Sequence, residues 1–137
     1  MALIPDVSAI LSQALDDEDA SYAEAVIASI AADEALVPTL FWFEIRNALL
    51  MAERRKRISA ARSASFLADL ALLPFGIDDL PREGTVFELA RRHNLTIYDA
   101  AYLELAQRKH LPLATTDAAL IKAAKKAGVV LFERTRP

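Results

Sequence analysis

The chain contains no cysteine among its 137 residues. Disulfide bonds, thiolate metal sites and a cysteine nucleophile are therefore excluded, so any metal chemistry depends on oxygen ligands. Glycine occurs only three times, and no glycine-rich loop of the kind that cradles phosphates is present. No segment approaches the roughly 20 apolar residues of a membrane helix, and no signal peptide is recognisable. We expect a cytoplasmic protein with no membrane association.

The residues that are present favour one compact α/β domain over residues 1–137. Hydrophobic residues make up 54% of the chain, which is ample for a continuous core. The formal net charge of −3 argues against a protein whose whole surface binds nucleic acid. Any contact with a polyanion must therefore depend on a local basic patch.

Short apolar stretches alternate with helical patterns along the chain. Strands are predicted at residues 2–4, 35–37, 75–77, 111–115 and 129–132. Helices are predicted at residues 7–15, around 22–30, and at 39–57, 59–73, 81–93, 96–108 and 117–127. This alternation indicates a three-layer α/β/α fold, with a mainly parallel central sheet of about four or five short strands flanked by about seven helices.

Four acidic residues are predicted at one edge of that sheet. Asp6 and Asp117 follow predicted strands, Asp99 lies in the first turn of a helix, and Glu44 lies early in the helix after residue 37. In open parallel sheets, ligand sites lie beyond the carboxyl ends of the strands. We therefore expect the four carboxylates to form one pocket.

Each acid also has a purely structural interpretation. Asp6 and Asp117 are suitable N-caps, and Thr96 with Asp99 resembles a capping box with Asp in place of Glu or Gln. Glu44 would then be a partly exposed residue on a helix flank. Capping does not explain why all four acids arrive at the same edge, whereas a cation site does, because clustered carboxylates repel one another until a cation neutralises them. Mg²⁺ or Mn²⁺ suits such oxygen ligands and supports phosphodiester hydrolysis.

Four segments together resemble the PIN domain, and most closely the VapC toxins of bacterial toxin–antitoxin pairs. They are residues 4–8 (IPDVS), 43–49 (FEIRNAL), 96–102 (TIYDAAY) and 114–117 (ATTD). The resemblance implies a metal-dependent endoribonuclease that cuts RNA, with Asp6, Glu44, Asp99 and Asp117 as metal ligands or metal-positioning acids. It further implies that Ser8, Asn47 and Thr115 support the acids; alternatively, these are a helix-start hydroxyl, a surface amide and a strand-end hydroxyl.

The resemblance also implies partners. They are a second copy of the chain in a homodimer and a VapB-like antitoxin, which inserts a segment into an apolar groove near the site. Phe41, Trp42 and Phe43 are candidates for that groove, although each is also suited to the core. His93 and His110 lie at predicted helix ends, where they suit C-terminal capping rather than catalysis.

Basic residues are candidates for guiding the RNA toward the acids. They are Arg46, Arg54, Arg55 and Arg57, with Lys122, Lys125 and Lys126 as the alternative set. Charges at such positions are also typical of a solvated helix face.

The chain departs from the family pattern beside the first acid. Pro5 precedes Asp6 and lacks a backbone donor, and Val7 stands where the family usually has a small residue. We therefore expect that Asp6 is displaced and that activity is weakened. One alternative function is a catalytically weak or inactive PIN-fold module that binds RNA or protein. A haloacid-dehalogenase phosphatase would need a second aspartate two residues after Asp6, where this chain has Ser8.

Overall fold

Parallel pairing organises the strands of this computed structural model, which describes residues 1–133. The strands are β1 (Ile4–Pro5), β2 (Ala35–Pro38), β3 (Phe75–Asp78) and β4 (Leu113–Ala114). β1 pairs with β4, β2 pairs with β3, and one bridge between Leu3 and Ala35 joins the two pairs. The strand order is therefore β3-β2-β1-β4, with parallel pairing between neighbours. The predicted parallel sheet is confirmed.

Seven α-helices occur in the described part of the chain. They are α1 (Ser8–Leu11), α2 (Ser21–Ala32), α3 (Leu40–Arg54), α4 (Ala60–Leu70), α5 (Glu83–His93), α6 (Ile97–Lys109) and α7 (Ala118–Lys126), with a 3-10 turn at Ser12–Ala14 after α1. Ser59, Thr96 and Asp117 cap α4, α6 and α7, because each side chain accepts a hydrogen bond from the N–H three residues on. Local capping chemistry thus sets where these helices begin.

The last predicted strand, at residues 129–132, is wrong as a strand. Within residues 1–133, the segment makes only one parallel bridge, between Leu131 and Leu113. Leu113 donates to the carbonyl of Val130 and accepts from Phe132 N–H. A longer ladder cannot form between residues 129–132 and β4, because β4 is only two residues long and the chain then continues into α7.

Helices cover both faces of the sheet. Strand residues such as Ile4 and Ala114 are fully buried, although successive strand residues point to opposite faces. α6 packs against β1, β2 and β4, and its residues 100–106 are all buried. α1 and α3 also contact the strands. The helix that carries Asp99 in its first turn is therefore packed against three of the four strands.

None of the described helices combines the length and the apolar character needed to cross a bilayer.

Candidate functional site

β1 and β4 end together, and this brings Asp6 and Asp117 to one edge. Asp6 directly follows β1, and its N–H donates to the carbonyl of Ala114 at 3.0 Å. Thr115 and Thr116 follow β4 and lead to Asp117, which is the N-cap of α7. The parallel register therefore places two acids that are far apart in sequence at the same end of neighbouring strands.

Pro5 does not displace Asp6 from this edge. In a parallel strand, alternate residues direct their N–H groups to the same neighbour. Ile4 and Asp6 both donate to the β4 side, to Pro112 and Ala114. The donor that Pro5 lacks would face the β2 side instead. The hydrogen bonds that hold Asp6 in register are thus intact.

Hydroxyl groups fix the orientation of the Asp6 carboxylate. Ser8 Oγ donates to Oδ1 at 2.5 Å and Thr115 Oγ1 donates to Oδ2 at 2.6 Å. Ala9 N–H also donates to Oδ1, at 3.1 Å, so Asp6 does cap α1. Burial raises the pKa of Asp6, while the hydrogen bonds from Ser8, Thr115 and Ala9 lower it. The hydroxyl of Thr115 also accepts from Asp117 N–H at 3.0 Å, and so links two of the acids.

Glu44 is held by a residue to which the sequence had assigned no role. Tyr102 Oη donates to Glu44 Oε1 at 2.6 Å, and the Tyr102 side chain is 1% exposed. Burial raises the pKa of Glu44, and the hydrogen bond from Tyr102 lowers it. A signal for this role exists in the sequence, because Tyr102 lies three residues after Asp99 and so on the same face of α6.

Asp99 and Asp117 differ in how their carboxylates are engaged. Asp117 Oδ2 accepts from Leu120 N–H at 2.9 Å, so its capping role is real. Asp99 lies in the first turn of α6, where its N–H is bound by Thr96 Oγ1. No hydrogen bond to its carboxylate is found among residues 1–133, and burial and the charge of Asp117 raise its pKa. Capping therefore does not account for the Asp99 side chain.

The four carboxyl groups form one electrostatic cluster. Beyond the effect of burial, Asp99 raises the pKa of Asp6, and Asp99 and Asp6 both raise the pKa of Glu44. Asp117 in turn raises the pKa of Asp99. We refer to Asp6, Glu44, Asp99 and Asp117 as the acidic cluster. Like charges that raise one another's pKa are relieved by a bound cation.

The carboxylate groups of the acidic cluster are suitable ligands for a divalent cation. All its potential ligands are carboxylate oxygens, which Mg²⁺ and Mn²⁺ prefer. As oriented in the structure, no three acidic or histidine side chains among residues 1–133 are grouped to hold one ion. Asp6 is fixed by its partners, whereas the Asp99 carboxylate has no such restraint. Asp99 is therefore the member of the acidic cluster whose side chain is least restrained by hydrogen bonds.

The other candidate residues lie outside this hydrogen-bonded group. Asn47 is exposed, and no hydrogen bond from its side chain to an acid is found in the described part of the chain. The guanidinium of Arg46 lies 3.7 Å from the centre of the Trp42 ring. Arg57 forms ion pairs with Asp17 and Glu18, at 3.0 and 2.7 Å. Arg54 and Arg55 are exposed at the end of α3, and His93 and His110 lie at the ends of α5 and α6.

The three aromatic residues at the start of α3 divide between core and surface. Phe41 is buried and stacks on Phe75, with 5.5 Å between ring centres. Trp42 and Phe43 are 50% and 67% exposed. A small groove of about 150 Å³ beside them is lined by apolar residues that include Val37, Ile45 and Leu70. An apolar surface therefore exists on the helix that carries Glu44.

Comparison with known proteins identifies the family of this fold. The sequence profile of the PIN domain matches residues 3–126. Ribonuclease VapC3 from Pyrobaculum aerophilum is 30% identical over 122 residues, which cover 85% of this chain and 90% of that protein.

Two solved structures share the architecture. The crystal structure of PAE2754 from Pyrobaculum aerophilum superposes with a TM-score of 0.65 at 24% identity, covering 90% of this chain and 87% of that one. FitAcB from Neisseria gonorrhoeae gives a TM-score of 0.66 at 15% identity, covering 97% of both chains. With the profile match over most of its length, the chain belongs to the PIN domain family.

Proposed function

We propose that this protein is a metal-dependent endoribonuclease that hydrolyses phosphodiester bonds of RNA. The observation that carries the proposal is the acidic cluster, in which four chain segments bring mutually repelling carboxylates to one edge of the sheet. The relative at 30% identity is named a ribonuclease, which supports this choice of reaction. The proposed unit is a single domain over residues 1–137.

Asp6, Glu44, Asp99 and Asp117 would hold Mg²⁺ or Mn²⁺. When bound, a divalent cation stabilises negative charge on a phosphodiester and favours attack by water on phosphorus. The protein's own part is to fix the ligands beforehand. Ser8 and Thr115 keep the Asp6 carboxylate in one orientation, and Tyr102 does the same for Glu44. Hydrolysis then adds one water across the P–O bond and leaves two shorter strands.

The biological role that we propose is that of a toxin in a toxin–antitoxin pair, acting in the cytoplasm as a homodimer. The relative named Ribonuclease VapC3, together with the resemblance of the sequence to VapC toxins, supports the toxin role. Exposed Trp42 and Phe43 supply an apolar surface for a VapB-like antitoxin on the same helix as Glu44. Co-purification with the product of a small neighbouring gene would distinguish a toxin from a nuclease that processes RNA.

The activity is tested by incubating purified protein with candidate RNAs and Mg²⁺ or Mn²⁺. We expect cleavage that a chelator abolishes and that Asp99→Asn reduces by more than about 100-fold, because a ligand is lost. Asp69→Asn is the matched control, since this exposed acid lies on α4 and should leave cleavage unchanged. Equal cleavage by the wild type, Asp99→Asn and the chelated sample would indicate a contaminant and reject the proposal.

A second candidate is a PIN-fold module that binds RNA or protein without cutting it. It is favoured by one observation, that no three acids among residues 1–133 are oriented to share an ion. RNA binding without any metal-dependent cleavage, across several RNAs and both metals, would select this candidate.

A further inference from the structure

A basic cavity lies between the end of α5 and one face of α7. It has a volume of about 330 Å³, and its lining consists of Arg92, His93, Asn94, Ala119, Lys122, Ala123 and Lys126. Lys122 and Lys126 are four residues apart, so both lie on the α7 face that looks into the cavity. Lys125 is exposed on the same helix but does not line it.

The cavity concentrates positive charge without a matching acid in its lining. Arg92 and His93 come from α5, and Lys122 and Lys126 come from α7. The only ion pair described for these side chains joins Arg92 to Glu88 at 2.7 Å, with both side chains more than 60% exposed. Exposed pairs of this kind contribute little. Positively charged side chains from two different helices therefore face one cavity. An anion bound in that cavity would stabilise this arrangement of charges.

The elements that line this cavity are connected in sequence to two members of the acidic cluster. Asp117 is the N-cap of α7, and Lys122 lies five residues after it, a rise of about 7–8 Å along the helix axis. On the other side, Asn94 ends α5, and Thr96 begins the helix whose first turn carries Asp99. The cavity is therefore lined by the helix that Asp117 caps and by Asn94, which lies five residues before Asp99 in the chain.

We propose that the cavity of Arg92, His93, Lys122 and Lys126 binds a backbone phosphate of the RNA strand next to the one that is cut. This inference rests on the proposed ribonuclease function. A strand running from the acidic cluster along α7 would place a neighbouring phosphate over the cavity, where lysine and arginine give charge-assisted contacts.

Arg46 and Arg57, two of the arginines on and after α3, are less suited to this task. Arg57 is occupied by Asp17 and Glu18, and Arg46 is stacked on Trp42 and bonded to the carbonyl of that residue. The α7 lysines have no ion-pair partner among residues 1–133.

The test is the binding of a fluorescein-labelled single-stranded RNA in chelator, measured by anisotropy over a range of salt concentrations. We expect Lys122→Ala to weaken binding about tenfold at low salt. The slope of log K against log salt should fall by about 0.7–1, because one phosphate contact is lost. Lys125→Ala removes the same charge from the same helix and should bind like the wild type.

Equal effects of Lys122→Ala and Lys125→Ala, or no effect of either, would overturn the inference. Circular dichroism of both variants checks that they are folded, which their exposed positions favour. The result of this binding experiment can be distinguished from the result of the cleavage test of the proposed function. Metal-dependent cleavage by the wild type with no Lys122 effect rejects only the phosphate site, whereas selective Lys122 binding without cleavage rejects only the nuclease.

Discussion

Single hydroxyl groups orient the carboxylates at the carboxyl edge of the sheet. Ser8 and Thr115 bind both oxygens of Asp6, and Thr115 also bonds the backbone of Asp117. The family resemblance pointed to Ser8 and Thr115, each of which lies two residues from an acid in the chain. Tyr102 was missed because its partner Glu44 lies 58 residues away on another helix. Such a long-range pairing becomes visible only once the helices are packed.

Tyr102→Phe tests whether this hydroxyl positions Glu44. Removing the 2.6 Å hydrogen bond frees the Glu44 carboxylate, so we expect the Mn²⁺ affinity from calorimetry to fall about tenfold. The kcat for RNA should fall as well, with little change in KM. Tyr98→Phe is the control, because Tyr98 is 62% exposed on the same helix. A lower melting temperature with unchanged Mn²⁺ affinity would show that Tyr102 is only structural.

The sequence predicts the bounds of the helices more closely than it predicts the bounds of the strands. Apolar periodicity and the caps at Ser59, Thr96 and Asp117 locate helices to within a few residues. β1 and β4 are only two residues long, so an apolar run does not define their ends. The run at residues 129–132 is as apolar as a strand, yet it makes a single bridge because β4 offers so few partners.

An ion-pair network joins the end of β3 to α6, the helix that carries Asp99 and Tyr102. The guanidinium of Arg108 binds both carboxylate oxygens of Asp78, at 3.1 and 2.6 Å, and also binds Glu104. Glu104 is 1% exposed, so its charge depends on Arg108 for compensation. The network therefore stabilises the packing of α6 on the sheet.

Asp78→Asn tests this link through the pH dependence of stability. The hydrogen bond from Arg108 lowers the pKa of Asp78 below its ordinary value of 3.8. Its stabilisation is therefore present above pH 3.8 and is lost as the pH falls through the lower, folded-state pKa. We expect the variant to be about 2 kcal/mol less stable than the wild type in urea at pH 7, with the gap closing below pH 4. A gap that stays constant from pH 7 to pH 3 would contradict this role.

For the whole molecule, the sequence predicted the fold class because alternation of short apolar runs with helices permits few architectures. It placed the acids at one edge because parallel strands all end there. It did not predict how the basic groups are distributed, since Arg57 pairs with a loop acid and the lysines of α7 converge with α5 only in the folded chain. The net charge of −3 is thus distributed unevenly, with an acidic cluster at one edge of the sheet and a basic cavity between α5 and α7.

Thermal unfolding with and without metal measures whether the acidic cluster binds a divalent cation. At a metal concentration of about 100 times Kd, binding stabilises the fold by about 2.7 kcal/mol. We therefore predict that Mn²⁺ raises the Tm of the wild type by about 5–10 °C over NaCl of equal ionic strength, and that Asp99→Asn shows no such rise. An equal rise in both proteins, or no rise in the wild type at any concentration, would contradict the claim.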